Sequence, residues 1–303
     1  MPETPARYRS DDEDSARWDG FPFRDDDIVI STRSKSGTTW MQMICALLVF
    51  QSPELPGRLS ELSPWLDWLV APRDDVYARL GRQRHRRFIK THTPLDGLPL
   101  DARATYIVVA RHPLDAAVSL YHQGDNLDRE RIRELTGQPD PGEAPAPRPA
   151  LHEWLLDWID RDVSPEEQLD SMPGVMWHLS DAWARRGERN VVLLHYDDLA
   201  ADLEGEMRTL ATLLGIGVRD KLWPDLVAAA TFQSMRAVAQ QAAPDPSAVL
   251  KDSAGFFRRG TSGAGLEVLS DDEVARYRAR AAHLAPPDLL AWLHRERSWN
   301  RPG

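Results

Sequence analysis

Ser31-Thr32-Arg33-Ser34-Lys35-Ser36-Gly37-Thr38-Thr39-Trp40 lies between two apolar stretches, and the rest of the chain is read outward from it. Before it, Asp27-Ile28-Val29-Ile30 has the β-branched run of a short buried strand after an acidic turn. After it, Trp40 to Phe50 is an apolar run of helical length. The intervening segment is therefore a strand-to-helix loop carrying one lysine, one glycine and the hydroxyls of Ser34, Ser36, Thr38 and Thr39. Backbone N–H groups, hydroxyl donors and a helix N-terminus meet in such a loop, which makes it a cradle for a phosphate. It differs from the common nucleotide loop, GxxxxGK[ST], because Lys35 precedes Gly37.

A chain of 303 residues is long enough to bury a full core as one α/β domain. A net charge of −10 argues against a general binder of nucleic acid or anionic membrane. Cys45 is the only cysteine, which excludes an intrachain disulfide and a cysteine-rich metal site. Met1 to Arg7 lacks the apolar stretch of a signal peptide, and Trp40 to Phe50 falls far short of the ~20 residues that span a bilayer. The expectation is a cytoplasmic protein with no stable membrane insertion. Lysine is scarce, four against 33 arginines, and Lys35 and Lys90 both fall in candidate motifs, as though a compact ammonium were needed there.

Met1 to Gly20 is acidic and polar and reads as a mobile lead-in to a single domain over 21–303. Leu55 to Val70, rich in Pro and Trp, reads as an irregular layer. A short strand ending in Ile89-Lys90 leads into Thr91-His92-Thr93-Pro94. Ala104 to Ala110 is the clearest buried strand, ended by Arg111-His112-Pro113 and followed by helical spacing. Gly137 to Pro149 holds five prolines and reads as a loop or lid. Leu151–Asp162 and Val175–Arg186 read as amphipathic helices with Trp154, Trp158, Trp177 and Trp183 facing the core. Asn190 to Tyr196 is another buried strand. Strands separated by helices predict an α/β fold with a mainly parallel central sheet flanked by helices.

Lys90 and His92 lie two apart in extended chain and point the same way, at the sheet edge where ligands gather in parallel α/β folds. Arg111 ends a strand at that edge, with Ser119 two turns along the next helix; a guanidinium fork and a hydroxyl suit a phosphate. Arg258-Arg259-Gly260 alone would be a solvated turn, yet beside Phe256-Phe257 it could close over an anion. Tyr196 and the pair Thr231-Phe232 are candidate platforms for a base, against the simpler reading as core aromatics.

Taken in order, these segments resemble the cytosolic-type sulfotransferases, which use 3′-phosphoadenosine 5′-phosphosulfate (PAPS) and release PAP. The family's Tyr-Pro-Lys-Ser-Gly-Thr-Thr-Trp loop is similar to Arg33 to Trp40, and its Lys-Thr-His segment to Lys90-Thr91-His92. Its Arg-(Asn/His)-Pro-x-Asp-x-x-Val-Ser motif is similar to Arg111 to Ser119. Tyr196-Asp197-Asp198-Leu199, Thr231 to Met235 and Arg258-Arg259-Gly260 complete the series. The resemblance implies a P-loop-like PAPS-binding strand-loop-helix. Lys35 would stabilise the leaving 5′-phosphate, held by Ser36, Gly37, Thr38 and Thr39. Trp40, Tyr196 and Phe232 would surround the adenine, with Thr231 nearby. Arg111, Ser119, Arg258, Arg259 and the Gly260 N–H would bind the 3′-phosphate. His92 would take the proton of a hydroxyl on a small-molecule, lipid or glycan acceptor, and Lys90 would steady the sulfuryl oxygens, with no metal required.

The chain departs from the family pattern in three places. Arg33 stands where the family often has tyrosine, and Ala264-Gly265 replaces an Asp-Trp pair. A Lys-x-x-x-Thr-Val dimer segment is not recognisable near Leu266 to Ser270, which leaves a homodimer open. Two other functions compete with sulfuryl transfer. An ATP-dependent phosphotransferase would need a lysine after the last loop glycine and an acidic strand end for Mg²⁺, where this chain has Arg111. A non-catalytic PAP or PAPS sensor would have no use for both Lys90 and His92.

Overall fold

Alternation along the strands sets the architecture. In β1 (Ile28–Ser31), Ile28 and Ile30 face one hydrophobic cluster and Val29 the other. The same division holds in β3 (Thr105–Ala110), with Tyr106, Val108 and Ala110 opposite Ile107 and Val109, and in β4 (Val191–His195). Side chains that alternate yet are apolar on both sides belong to a sheet covered by helices on both faces. With β2 (Phe88–Thr91), the strands pair in the order β2-β1-β3-β4, all parallel. The computed structural model describes residues 4–140, 142, 147–242 and 247–295. The fold is a single α/β domain.

The helices Leu151–Asp160, Met172–Ala184 and Asp271–Leu284 cover one face. The other is covered by α1 (Thr38–Phe50) with Leu203–Leu213 and Trp223–Ala230. No helix among the described residues is long and apolar enough to cross a membrane. Because β1 is flanked by β2 on one side and β3 on the other, the chain order reverses beside it. The crevice at the C-terminal ends of β1 and β3 is thus the switch point where α/β sheets take ligands. The loops beginning at Arg33 and Arg111 flank it.

Two expectations are corrected here. Residues 4–20 are not a mobile lead-in: Trp18 is fully buried and Tyr8 nearly so. Trp18 packs with Phe21 and Phe23, and Glu13 forms an antiparallel bridge with Trp68. Aromatic anchors outweigh the acidic composition, because one buried indole removes far more apolar surface from water than the neighbouring charges cost at the rim. Trp177 does not face the core; it is 45% exposed, with its Nε1 donating to the Tyr8 hydroxyl at 2.7 Å. Of the proline-rich Gly137 to Pro149 stretch, residues 141 and 143–146 lie outside the described residues, as do 1–3 of the lead-in.

At the end of the sheet away from the crevice, Arg87 and Asp27 form a buried pair, 2% and 1% exposed, with Arg87 Nε donating to Asp27 Oδ1 at 2.8 Å. Removing one partner strands the other charge in the core. Asp27→Ala is expected to cost about 3–5 kcal/mol in urea unfolding; a loss below about 1 kcal/mol would show that Arg87 reaches water or another partner.

Candidate active site

The loop after β1 is built to leave donors free. Gly37 precedes α1 in the left-handed region, at φ 110°, and no side chain caps the helix. A Cβ at Gly37 would sit 3.2 Å from the Tyr196 ring, so backbone angle and close approach both call for glycine. The first N–H groups of α1 are left for an outside anion. Thr38 and Thr39 line the adjoining cavity of about 240 Å³, together with Lys35, Gly37 and Trp40. Ser36 does not line it; its N–H donates to Arg33 O at 3.2 Å and tightens the turn.

Trp40 is pinned by its Nε1 donating to Ala230 O at 2.8 Å and meets Tyr196 edge-on at 5.1 Å. Tyr196 and Phe232 line the same cavity, as do Ser119, Arg258, Arg259 and Gly260. Gly260 has a φ of 68°, and a Cβ there would lie 2.5 Å from Phe232, so the arginine turn and the aromatic fit only because residue 260 is glycine. Thr231 is not at the cavity wall. Its hydroxyl accepts from Ser234 N as the cap of the helix Phe232–Ala237.

Arg111 joins the two loops: Nη1 donates to Lys35 O at 3.1 Å and Nη2 to Thr261 O at 3.0 Å. It lies over the Tyr196 ring at 4.4 Å, and its buried Nε has no partner among the described residues. Arg258 Nε is likewise buried and unpartnered, while Arg259 is paired with Glu267 at 2.8 Å. The loop that carries them is tied down by Asp115, which accepts from Gly263 N and Gly265 N, each at 2.8 Å. Lys35 Nζ donates to Gln123 Oε1 at 3.2 Å and lies 3.9 Å from the centre of the Phe256 ring. Burial, then Arg111, Lys90 and Arg258, push the Lys35 ammonium down to about 7. Orphaned guanidinium nitrogens, and a lysine lowered by burial and by the cations around it, fit a ligand with more than one negative charge, as PAPS has.

Lys90 and His92 open onto the same cavity. His92 Nδ1–H donates to Thr32 O. A carbonyl only accepts, so Nδ1 carries the proton and Nε2 keeps its lone pair. Burial, with Lys90 and Arg33 nearby, holds the imidazole well below its usual range, in the form a base requires. Lys90 lies 3.6 Å from the centre of the Trp65 ring, and burial brings it down to about 7. Asp67 accepts from the hydroxyls of Thr91 and Thr93, one on each side of His92, and fixes the segment.

Sequence reasoning missed Asp67, Gln123 and Trp65, and it missed an ionic group beneath His92. Arg33 is 3% exposed; it donates to His92 O and pairs with Asp170, and Glu13 lies 4.0 Å away. Asp115 and Arg33 stood in quoted motifs, and so each had a local signal, without a role read for either.

A family model described as the sulfotransferase domain matches residues 25–276. A glycolipid sulfotransferase of Mycobacterium bovis (strain BCG / Pasteur 1173P2) is 43% identical over 308 residues, covering 96% of this chain and 94% of its own. A glycolipid sulfotransferase of Mycobacterium tuberculosis (strain ATCC 25177 / H37Ra) is 42% identical over 311 residues, with the same coverage of 96% and 94%. The crystal structure of a mouse sulfotransferase complexed with PAP shares the fold, with a TM-score of 0.68 at 20% identity over 93% of this chain and 91% of that one. Identity of that extent along nearly the whole of both chains, with the domain match, means that this chain belongs to the sulfotransferase family and is a sulfotransferase enzyme.

Proposed function

We propose that the enzyme transfers the sulfuryl group of PAPS to a hydroxyl on the sugar of a glycolipid. The observation that carries this reading is the free Nε2 of His92 in one cavity with Lys35, Lys90 and Arg111. The names of the mycobacterial relatives supply the acceptor class. PAPS, when bound, supplies the sulfuryl group and a phosphate able to depart with the bond electrons. Lys35 and the N-terminus of α1 hold that phosphate, and Arg111, Ser119, Arg258 and Gly260 hold the 3′-phosphate. His92 Nε2 takes the proton of the acceptor hydroxyl as its oxygen bonds to sulfur. Lys90, on the same cavity, would steady the oxygens around sulfur. Fixed, preorganised cations then supply the stabilisation that Mg²⁺ supplies in ATP-dependent enzymes.

Incubation with sulfur-labelled PAPS and a glycolipid extract in EDTA tests this reading. The expected product is labelled glycolipid, formed with PAPS and not with ATP as donor. Transfer of phosphate from ATP, or PAP binding without turnover of any hydroxyl compound, would overturn it.

A further inference from the structure

Beside the cavity that holds His92 lies a second, larger one of about 710 Å³. Asp12, Glu13, Arg129, Ile132 and Asp170 border both, so the two spaces adjoin along these side chains. The larger space is lined largely by charged and polar groups, including Arg9, Glu167 and Gln168. The wall near His92 has the opposite character. Trp65 and Trp68 stack at 4.7 Å, and Leu127, Val249 and Leu250 continue the apolar surface.

Among the acids on the shared border, two are committed. Asp12 takes Arg129 at 2.8 Å, and Asp170 takes Arg33. Glu13 accepts no hydrogen bond at its carboxyl among the described residues, and its nearest cation is Arg33 at 4.0 Å. Its backbone is nevertheless fixed, because residues on each side bond to the Trp68 segment: Asp14 N to Asp67 O at 2.9 Å and Leu69 N to Asp12 O at 2.8 Å. A held backbone with a carboxyl that accepts no hydrogen bond, on the wall of the cavity that His92 also lines, is an arrangement for binding hydroxyl groups.

We propose that the larger cavity is the subsite for the sugar of the acceptor, with Glu13 as the residue that holds a sugar hydroxyl beside the one presented to His92. A pyranose carries several hydroxyls, suited to the polar lining of the larger cavity and to a carboxyl at its border. Burial holds Glu13 toward its protonated form, so the group both donates and accepts at neutral pH. Arg33, standing where the resembled family often has tyrosine, links the site together by donating to His92 O and approaching Glu13. A simple alcohol would engage only the apolar wall.

The proposal rests on the glycolipid reading, and binding is measured separately from turnover so that the two fail independently. Octyl β-glucoside and octanol are titrated into the PAP-loaded enzyme, followed by tryptophan fluorescence. The glucoside is expected to bind at least ~10-fold more tightly, and Glu13→Ala to remove that preference, the loss of a hydrogen bond to a buried carboxyl being of that order. Glu13→Gln, which keeps a donor and an acceptor in place, is expected to restore part of it, and unchanged PAP affinity serves as the check on folding. No preference in the wild-type enzyme, full preference in Glu13→Ala, or a glutamine variant as weak as alanine would each overturn the proposal. Glucoside that binds preferentially yet is never sulfated would remove the glycolipid reading and leave the subsite standing.

Discussion

His92→Ala is expected to lower turnover by about 10²–10⁴-fold while leaving PAP affinity within a few-fold of wild type. The imidazole is oriented from behind: Thr32 O fixes the tautomer, Asp67 clamps the threonines on each side, and Arg33 holds the His92 carbonyl. These contacts reach the start of the Lys35 loop at Thr32 and Arg33, but none involves Lys35, the N-terminus of α1 or the Arg258 turn, so cofactor binding should survive the substitution. The pH dependence separates this role from a structural one. Because the folded-state pKa is depressed, His92 stays unprotonated as pH falls through the ordinary imidazole value of ~6.5. The acid limb of kcat/KM for PAPS, which reports the enzyme before PAPS binds, is therefore expected below that value. An acid limb at or above it, or near-normal turnover of His92→Ala, would place the base elsewhere.

The parts of the site visible in the sequence are those made by short spans of chain. A loop between an apolar strand and an apolar helix needs no tertiary information, and neither does the shared direction of Lys90 and His92, two residues apart in β2 and its extension. The sheet was legible for the same reason, since β1, β3 and β4 are each a run of β-branched or apolar residues that both layers of helices bury. What was not legible comes from distant pieces. Glu13 reaches the cavity because Trp18 is buried and because Glu13 bridges Trp68, a pairing that local composition does not encode. Arg33 reads as one more loop arginine until Asp170, 137 residues later, lies against it. Thr231 shows a local signal with two readings. Its place beside Phe232 suggests a cofactor contact, and a threonine before a helix is also a cap, which the hydroxyl is here.

Lys35→Met is expected to cost about 10²–10³-fold in turnover, the scale of removing one preorganised donor from a developing negative charge. The effect is electrostatic. Lys35 sits with Arg111, Lys90 and Arg258 on a partly buried wall, and its pKa near 7 is the consequence of burial first and of those neighbours second. In the empty enzyme at pH 8 the amine is thus largely neutral. Two phosphates entering the cavity reverse the field and favour the ammonium, so binding must take up protons. Calorimetric titration of PAP at pH 8 in two buffers of different ionisation enthalpy should show an uptake approaching one proton, reduced in Lys35→Met. The sign follows from the direction of the shift: a lysine whose pKa rises on binding gains a proton in the window between its free and bound values. At pH 6, where Lys35 is already charged, the uptake should shrink toward zero. Zero uptake at pH 8, or the same uptake in Lys35→Met, would mean that Lys35 is not the cation facing the departing phosphate.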